Sequence, residues 1–335
     1  MKISSLIQVS AVLVALLAAG MLINHETKWQ VSPKIHAAFQ TWLVKHGKSY
    51  ASPREFFHRL SIFERALLEV EQHNASGQTW TMGLNFMSDL TVEEAKAKYF
   101  GKRPSSLHQG IEVDSSLLTK KSERNAIDWV ALGAVSPVKD QKDCGSCWAF
   151  SVVGALESLN MIKNKPSQFA LYSEQQLVDC STKYGNEGCN GGEESNAYKY
   201  IKDNGITTES DYPYTARDGK CKTKVGVLKV SGYKIVPHKN SPALDNACDS
   251  QPVNVAIDAE AIIKYSGGVF SDKNCGSNLD HAVLLVGYDD KTWKVKNSWS
   301  TSWGDKGFIY FDKSAVSDKI GGICGILLDS IFPFF

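Results

Sequence analysis

All eight cysteines of this 335-residue chain fall between Cys144 and Cys324, and the first 143 residues carry none. A disulfide framework, if one forms, is therefore confined to the later part, and the earlier part must fold without covalent staples. This asymmetry divides the chain into two regions of different character. Its length allows more than one folding unit, and 43% hydrophobic with 22% charged residues is ordinary for a soluble globular protein. The formal net charge is +1 and no run of five or more like charges occurs, so neither nucleic acid nor an anionic membrane is expected as a partner.

Met1 and Lys2, the apolar stretch Ala11 to Leu17 and the small residues Ala18, Ala19 and Gly20 form the pattern of a secretory signal peptide over residues 1–20. A membrane anchor over Ile3 to Ile23 is the alternative, diluted by Ser4, Ser5, Gln8 and Ser10; no other segment approaches the ~20 apolar residues a span needs. An exported chain meets oxidising conditions, so most of its cysteines are expected to pair. The expected location is the secretory pathway, ending in a lysosome or similar acidic vesicle, or outside the cell.

Between Pro33 and Asn74, apolar residues such as Phe39, Trp42 and Leu43, then Phe56, Leu60, Phe63, Leu67 and Val70, recur at helical steps. Two amphipathic helices are predicted, the second starting after Ser52-Pro53 and stopping at Asn74 to Gly77. Thr91 with Glu94 forms a capping box for a further short helix. From about Gly101 to Lys121 the chain is rich in Ser, Lys, Gly and Pro and has no period, which predicts an exposed linker. Residues 25–122 carry 13 basic against 10 acidic residues and residues 123–335 carry 23 against 26, opposite signs that favour docking at neutral pH and weaken it in acid.

In the later region, helices are predicted from Cys147 to about Asn164 and from Ser173 to Cys180, where Ser173 with Gln176 suggests a capping box. Short β-branched or aromatic runs follow at 253–257, 282–287, 293–296 and 308–311. Helices first and antiparallel-type strands later indicate an α+β fold with a helical half and a sheet half.

The most informative stretch is Gln141 to Ser151, QKDCGSCWAFS, because Gly145 and Ser146 set Cys147 at the start of a helix. There the partial positive charge of the helix end favours a thiolate. A zinc half-site needs a second close cysteine pair, which the scattered Cys180, Cys189, Cys221, Cys248, Cys275 and Cys324 do not supply, and a redox dithiol is expected in a smaller βαβ chain. A nucleophilic cysteine needs a base, and of eight histidines only His238 and His281 follow Cys147. His238 sits in a polar turn. His281 stands at the mouth of an apolar strand, and Asn297 in Lys296-Asn297-Ser298-Trp299 is placed to orient its ring while Trp299 screens the bond from water.

Gln141 with CGSCWAFS, then DHAV at Asp280 to Val283, then KNSW with Trp303-Gly304, resembles the papain and cathepsin L family of cysteine proteases. Glu55, Arg59, Phe63, Val70 and Asn74, then Gly83, Asn85 and Asp89, resemble that family's inhibitory pro-region, with departures at Ala66 and Met87. The resemblance implies a papain-like α+β fold of two subdomains, a mainly helical half and an antiparallel barrel-like half, preceded by a helical pro-domain over 21–122 and with a mature domain over 123–335. It implies a zymogen activated by loss of the pro-region in acid, acting as a monomer without cofactor or metal on protein and peptide substrates, with the pro-region as its own inhibitor. Cys147 becomes the nucleophile, His281 its ion-pair partner, Asn297 the orienting residue and Gln141 an oxyanion-hole donor. The implied disulfides are Cys144 with Cys189, Cys180 with Cys221 and Cys275 with Cys324, leaving Cys248 a small buried thiol.

Gly191 and Gly192 resemble the strip where substrate backbone docks, and Trp299 borders the site. The family usually builds the adjoining S2 pocket from apolar side chains, whereas Glu193 and Glu194 stand here, with Asp329 at the pocket floor. Either the pocket is acidic and takes Lys or Arg at P2, or the carboxylates turn to solvent. The paired histidines of exopeptidase loops are missing, which favours an endopeptidase. Asn74-Ala75-Ser76 is a potential glycosylation site. An inactive relative that binds other proteases and a disulfide-exchange enzyme using Cys144 and Cys147 are the rival readings; the intact Cys147, His281, Asn297 and Gln141 argue against the first.

Overall fold

The computed structural model describes residues 32–103, 114–119, 124–167, 169–222 and 226–335. The expected signal peptide and most of the expected cleavage region at 120–125 lie outside the described residues. The chain forms two compact units, ending and beginning at Leu60 and Ser61.

In the first unit, α1 (Pro33–His46) starts with proline in its first turn and stops at Gly47, whose φ of +61° is the left-handed cap that glycine adopts readily. Its inner face is aromatic: Phe39 stacks on Trp42 at 5.8 Å and meets Phe56 edge-on at 5.4 Å. Phe56 lies on α2 (Pro53–Ala75), which continues into the second unit.

In the second unit, Asn74 near the end of α2 exchanges two 2.9 Å hydrogen bonds with the backbone of Met82. The amide nitrogen that a sugar would occupy is thus engaged. Met82 closes β1 (Trp80–Met82), an edge strand pairing antiparallel with β5 (Tyr265–Phe270). The capping box is present in full at α3 (Val92–Tyr99): Thr91 and Glu94 satisfy each other's backbone N–H groups. A single turn, α4 (Ser116–Thr119), buries Leu117.

The short β2 (Ile127–Asp128) pairs with β6 (His281–Tyr288), and then comes α5 (Cys147–Asn164), the span the sequence predicts. It is buried from Cys147 through Asn160, so it is a core helix apolar on most sides rather than a surface one. α6 (Glu174–Cys180) is capped by Ser173, but Gln176 does not reciprocate; its side chain bonds Tyr200, Gly205 and Thr207 instead. α7 (Glu194–Asn204), β3 (Gly232–Ile235) and α8 (Ser241–Cys248) follow.

Then come β4 (Val253–Ile257), β5, β6 (His281–Tyr288), β7 (Thr292–Lys296), β8 (Phe308–Asp312) and β9 (Ser330–Phe334). Among the described residues the strand path is β1-β5-β8-β7-β6-β4-β9-β3. Pairing is antiparallel except between β5 and β8. Two cores result. Trp293, Trp303, Phe270 and Phe311 fill the sheet half, and Trp148, Val152, Leu177, Tyr198 and Ile201 fill the helical half. α5 bridges them: Ser151 donates to the carbonyl of Val283 at 2.7 Å, and a Cβ at Gly154 would come within 3.1 Å of Leu284. That contact brings the start of α5 beside the start of β6, which is the same as bringing Cys147 beside His281.

Candidate active site

The turn before α5 is built so tightly that glycine is required in it. A Cβ on Gly145 would lie 2.6 Å from the Cys189 carbonyl, which instead accepts the Gly145 N–H at 3.0 Å. The Cys144–Cys189 disulfide holds the same two segments together, and Cys180–Cys221 and Cys275–Cys324 join the other pairs that the resemblance implies. Cys147 and Cys248 are free thiols, both buried.

Cys147 Sγ accepts the backbone N–H of Ala282 at 3.5 Å, which places it against the residue that follows His281. Nε2 of His281 lies 2.8 Å from Oδ1 of Asn297, so that nitrogen donates and Nδ1 is left without a hydrogen-bond partner in the covered site. Asn297 directly follows β7, two strands' pairing having set its neighbour Lys296 opposite Leu284. Trp299 packs 4.5 Å from the imidazole and is fully buried, so water is kept from the His281–Asn297 bond.

Gln141 is clamped from several sides. Its Nε2 donates to the carbonyls of Cys144 and Tyr99, each at 2.9 Å, and its Oε1 accepts from the Ser298 hydroxyl at 2.6 Å. Nearby, Lys139 Nζ lies 2.7 Å from both Glu157 and Glu174, anchoring the loop that carries Gln141 to α5 and α6. Ser298 and Lys139 are contributors that residue patterns did not single out.

The stretch from Gly101 onward is not simply an exposed linker. Gly101 and Lys102 are buried, and residues 99–103 lie across the site. Helical periodicity ends at Tyr99, and five residues each used in a different contact leave no repeat to read. The Tyr99 carbonyl occupies the Gln141 amide; the Phe100 ring stacks on Trp299 at 5.7 Å and also meets His281. Gly101 presents its N–H to Cys147 Sγ at 3.3 Å. Its Cα faces Gly145, whose carbonyl oxygen would be 1.8 Å from any Cβ placed there. Gly192 donates to the Gly101 carbonyl at 2.8 Å and accepts from Arg103 N at 3.0 Å, so the strip that the resemblance assigns to substrate backbone is filled. Arg103 pairs with Glu187.

Lys102 enters the pocket of three carboxylates. Its Nζ lies 2.6 Å from Glu193, 3.0 Å from Glu194 and 2.9 Å from Asp329, with 1% of the side chain exposed. The carboxylates face inward rather than toward solvent. Burial alone would pull the ammonium down, but Glu194, Asp329 and Glu193 outweigh it and hold Lys102 well above the usual lysine range. One cation cannot neutralise three anions, so burial pushes Glu193 up to about 8 and also raises Glu194, against the pull of Lys102.

The covered site is electrically quiet. Burial pushes the Cys147 thiol up to about 12, partly offset by the N–H groups of Ala282 and Gly101, and lowers His281 to about 4, partly offset by Asn297. A neutral thiol beside a neutral imidazole is a resting pair, and it is water excluded by residues 99–103 that keeps it so.

The sequence pattern of the papain family cysteine proteases matches residues 124–334, and that of the cathepsin propeptide inhibitor domain matches residues 39–95. The chain belongs to the papain family of cysteine proteases. It is 38% identical over 319 residues to cysteine proteinase RD21A of Arabidopsis thaliana, covering 90% of this chain and about two thirds (66%) of that relative. It is 37% identical to a cathepsin L-like proteinase of Fasciola hepatica, covering 94% of this chain and 95% of the relative. The solved structure of digestive procathepsin L2 proteinase from Tenebrio molitor larval midgut superposes with a TM-score of 0.82 at 34% identity, covering 90% of this chain and 100% of that one. The papain-family fold, α+β with an N-terminal propeptide, is therefore this chain's fold, and its inhibitor domain is of the kind present in such precursors. Three disulfides suit a family that matures in the oxidising secretory pathway. Among the described residues no helix is long and apolar enough to cross a membrane and no cluster of His, Cys, Asp or Glu is arranged to hold a metal ion.

Proposed function

We propose that this chain is the precursor of a cysteine endopeptidase, with a mature domain over 123–335 held shut by an inhibitory segment within 21–122, following a signal peptide over 1–20. The observation that carries the reading is the line Cys147, His281, Asn297 under a strap of the chain's own residues: Asn297 engages Nε2 of His281 at 2.8 Å and leaves Nδ1 to serve Cys147.

Once the strap leaves, water enters, and the helix end and imidazole both favour a thiolate–imidazolium pair. Cys147 Sγ attacks the peptide carbonyl carbon, and the Gln141 amide, vacated by Tyr99, joins the Cys147 backbone N–H in receiving the oxyanion. His281 gives its proton to the departing amine, which leaves a thioester. Water then attacks that thioester, His281 takes up the proton and returns it to the pair, and the carboxylic acid product leaves. The closed segment resists this chemistry because it offers the sulfur an N–H, that of Gly101, in place of a carbonyl carbon.

Activation in mild acid is part of the reading. The docked segment bears Lys96 against Glu260 at 2.7 Å and Lys98 against Asp143 at 2.8 Å, in addition to Lys102, and attraction of this kind fades as carboxylates protonate. A lysosome-like vesicle or an acidic extracellular space supplies such conditions, and proteins and peptides are the substrates of a monomer needing no cofactor. The test is incubation at mildly acidic pH followed by an epoxide thiol inhibitor and N-terminal sequencing. Processing near residues 120–125 with modification of Cys147 alone is the expected result. Modification of Cys144 would instead favour disulfide exchange, and no modification would favour an inactive inhibitor.

A further inference from the structure

The Cys147 sulfur contacts Gly101 N, and the very next side chain, Lys102, leaves the Gly192 strip to meet three buried carboxylates, which form its pocket. Any peptide that lays its backbone on Gly192 with one residue at the sulfur presents its neighbouring side chain to the same pocket. Its polar lining comes from two separated pieces of chain. Glu193 and Glu194 open α7, and Asp329 immediately precedes β9. All three are buried, and Tyr198 and Tyr233, stacked at 5.8 Å, stand beside them.

We propose that Glu193, Glu194 and Asp329 make this pocket a selector for a cationic side chain, so that the enzyme prefers Lys or Arg at the P2 position of its substrates. The inference rests on the reading of the chain as a cysteine peptidase and deepens it by naming the substrate class. Lys102 is the pocket's tethered occupant and displays the ligand chemistry: an ammonium on a flexible stem, met by three carboxylates at 2.6–3.0 Å. The whole side chain is buried, and its charge is compensated at the end.

The charge balance discriminates in both directions. A guanidinium, with five donors in a rigid fork, engages more of the carboxylate oxygens than the single ammonium of a lysine does. A leucine or phenylalanine in the same place removes water from three acidic groups and returns no counter-charge, the repulsive element that a selective site needs.

The experiment uses the processed enzyme, titrated with an epoxide inhibitor so that rates refer to reactive Cys147, and a matched peptide series identical except for Arg, Lys, Leu or Phe at P2. The expected kcat/KM for Arg or Lys exceeds that for Leu by about tenfold or more, the discrimination equivalent to one well-made charged contact. In Asp329→Asn and Glu193→Gln the ratio of Arg to Leu falls by about tenfold in each. A wild-type ratio of Arg to Leu below tenfold overturns the proposal, as does a ratio that both substitutions leave intact. An enzyme that takes the epoxide but cleaves the Leu peptide as well as the Arg peptide fails only the pocket assignment, whereas one that takes no epoxide and cleaves nothing fails the peptidase reading and the pocket with it.

Discussion

The backbone N–H of Gly101 points at Sγ of Cys147 from 3.3 Å, and the Cα that carries it rests on the Gly145 carbonyl. Cys147, the proposed nucleophile, is capped by a peptide group presented in the wrong sense, and the cap fits only because residue 101 has no side chain.

A single methyl should therefore unseat it. Gly101→Ala would put a Cβ 1.8 Å from Gly145 O, a backbone atom that cannot move aside. The precursor is expected to react with an epoxide inhibitor at neutral pH at least about tenfold faster than wild type, each 1.4 kcal/mol of lost docking corresponding to a factor of ten. Equal labelling rates would mean that the strap is displaced readily without this clash.

His281 supplies a pH trigger whose sign is fixed by its environment. In the closed form its pKa is about 4 against an ordinary 6.5, so between those values the open form binds more protons. Closure is at full strength above 6.5 and weakens as pH falls toward 4, by at most on the order of 3 kcal/mol. Calorimetry of a Cys147→Ser precursor across pH 7 to 4, with and without His281→Gln, isolates this contribution. The pH slope should shrink when the imidazole is replaced, and an unchanged slope assigns the trigger to carboxylates.

Removing the charge of Lys102 while nearly keeping its length takes away the ammonium that Glu193, Glu194 and Asp329 share. Lys102→Met in the same Cys147→Ser background should destabilise the closed precursor by about 3 kcal/mol or more above pH 8. The raised Glu193, at about 8, can escape by protonating, so the penalty should shrink as the pH is lowered. Melting temperatures of the two precursors at pH 8.5 and 5.5 provide the comparison; a penalty that grows in acid would contradict the argument.

Gln141→Ala should lower kcat of the processed enzyme by about 10²- to 10³-fold with a much smaller change in KM, because the amide meets charge that develops only in the transition state. Ser298 also leans on Gln141 at 2.6 Å, so circular dichroism of the variant accompanies the kinetics.

Much of the fold can be read from the chain because its signals are local. Cys147 to Asn164 reads as a helix from its composition and its Gly-Ser approach, and Thr91 with Glu94 announces α3. The segment at 253–257 reads as β4 because its β-branched Val253, Val255 and Ile257 alternate along it. β5 is different. Tyr265 to Phe270 contains Gly267 and Gly268, which depress a strand signal, yet a Cβ on Gly268 would sit 2.4 Å from Thr79 O of the segment entering β1. Gly268 is demanded by a partner 189 residues away, which local patterns do not show. The strap escapes for the same reason. Gly101 is shaped by Gly145 and Lys102 by Glu193, Glu194 and Asp329, so neither carries a repeat of its own. The acids themselves could be noticed, as a departure from an apolar pocket, but not which way they faced.

The Cys144–Cys189 bond ties the turn that presents the nucleophile to the strip that leads into the acidic pocket. It works as a jig, fixing the distance from the cutting edge to the gauge that measures the neighbouring residue. Tool and gauge thus share one fastening. Loosening it would blunt the cut and blur the choice of substrate together.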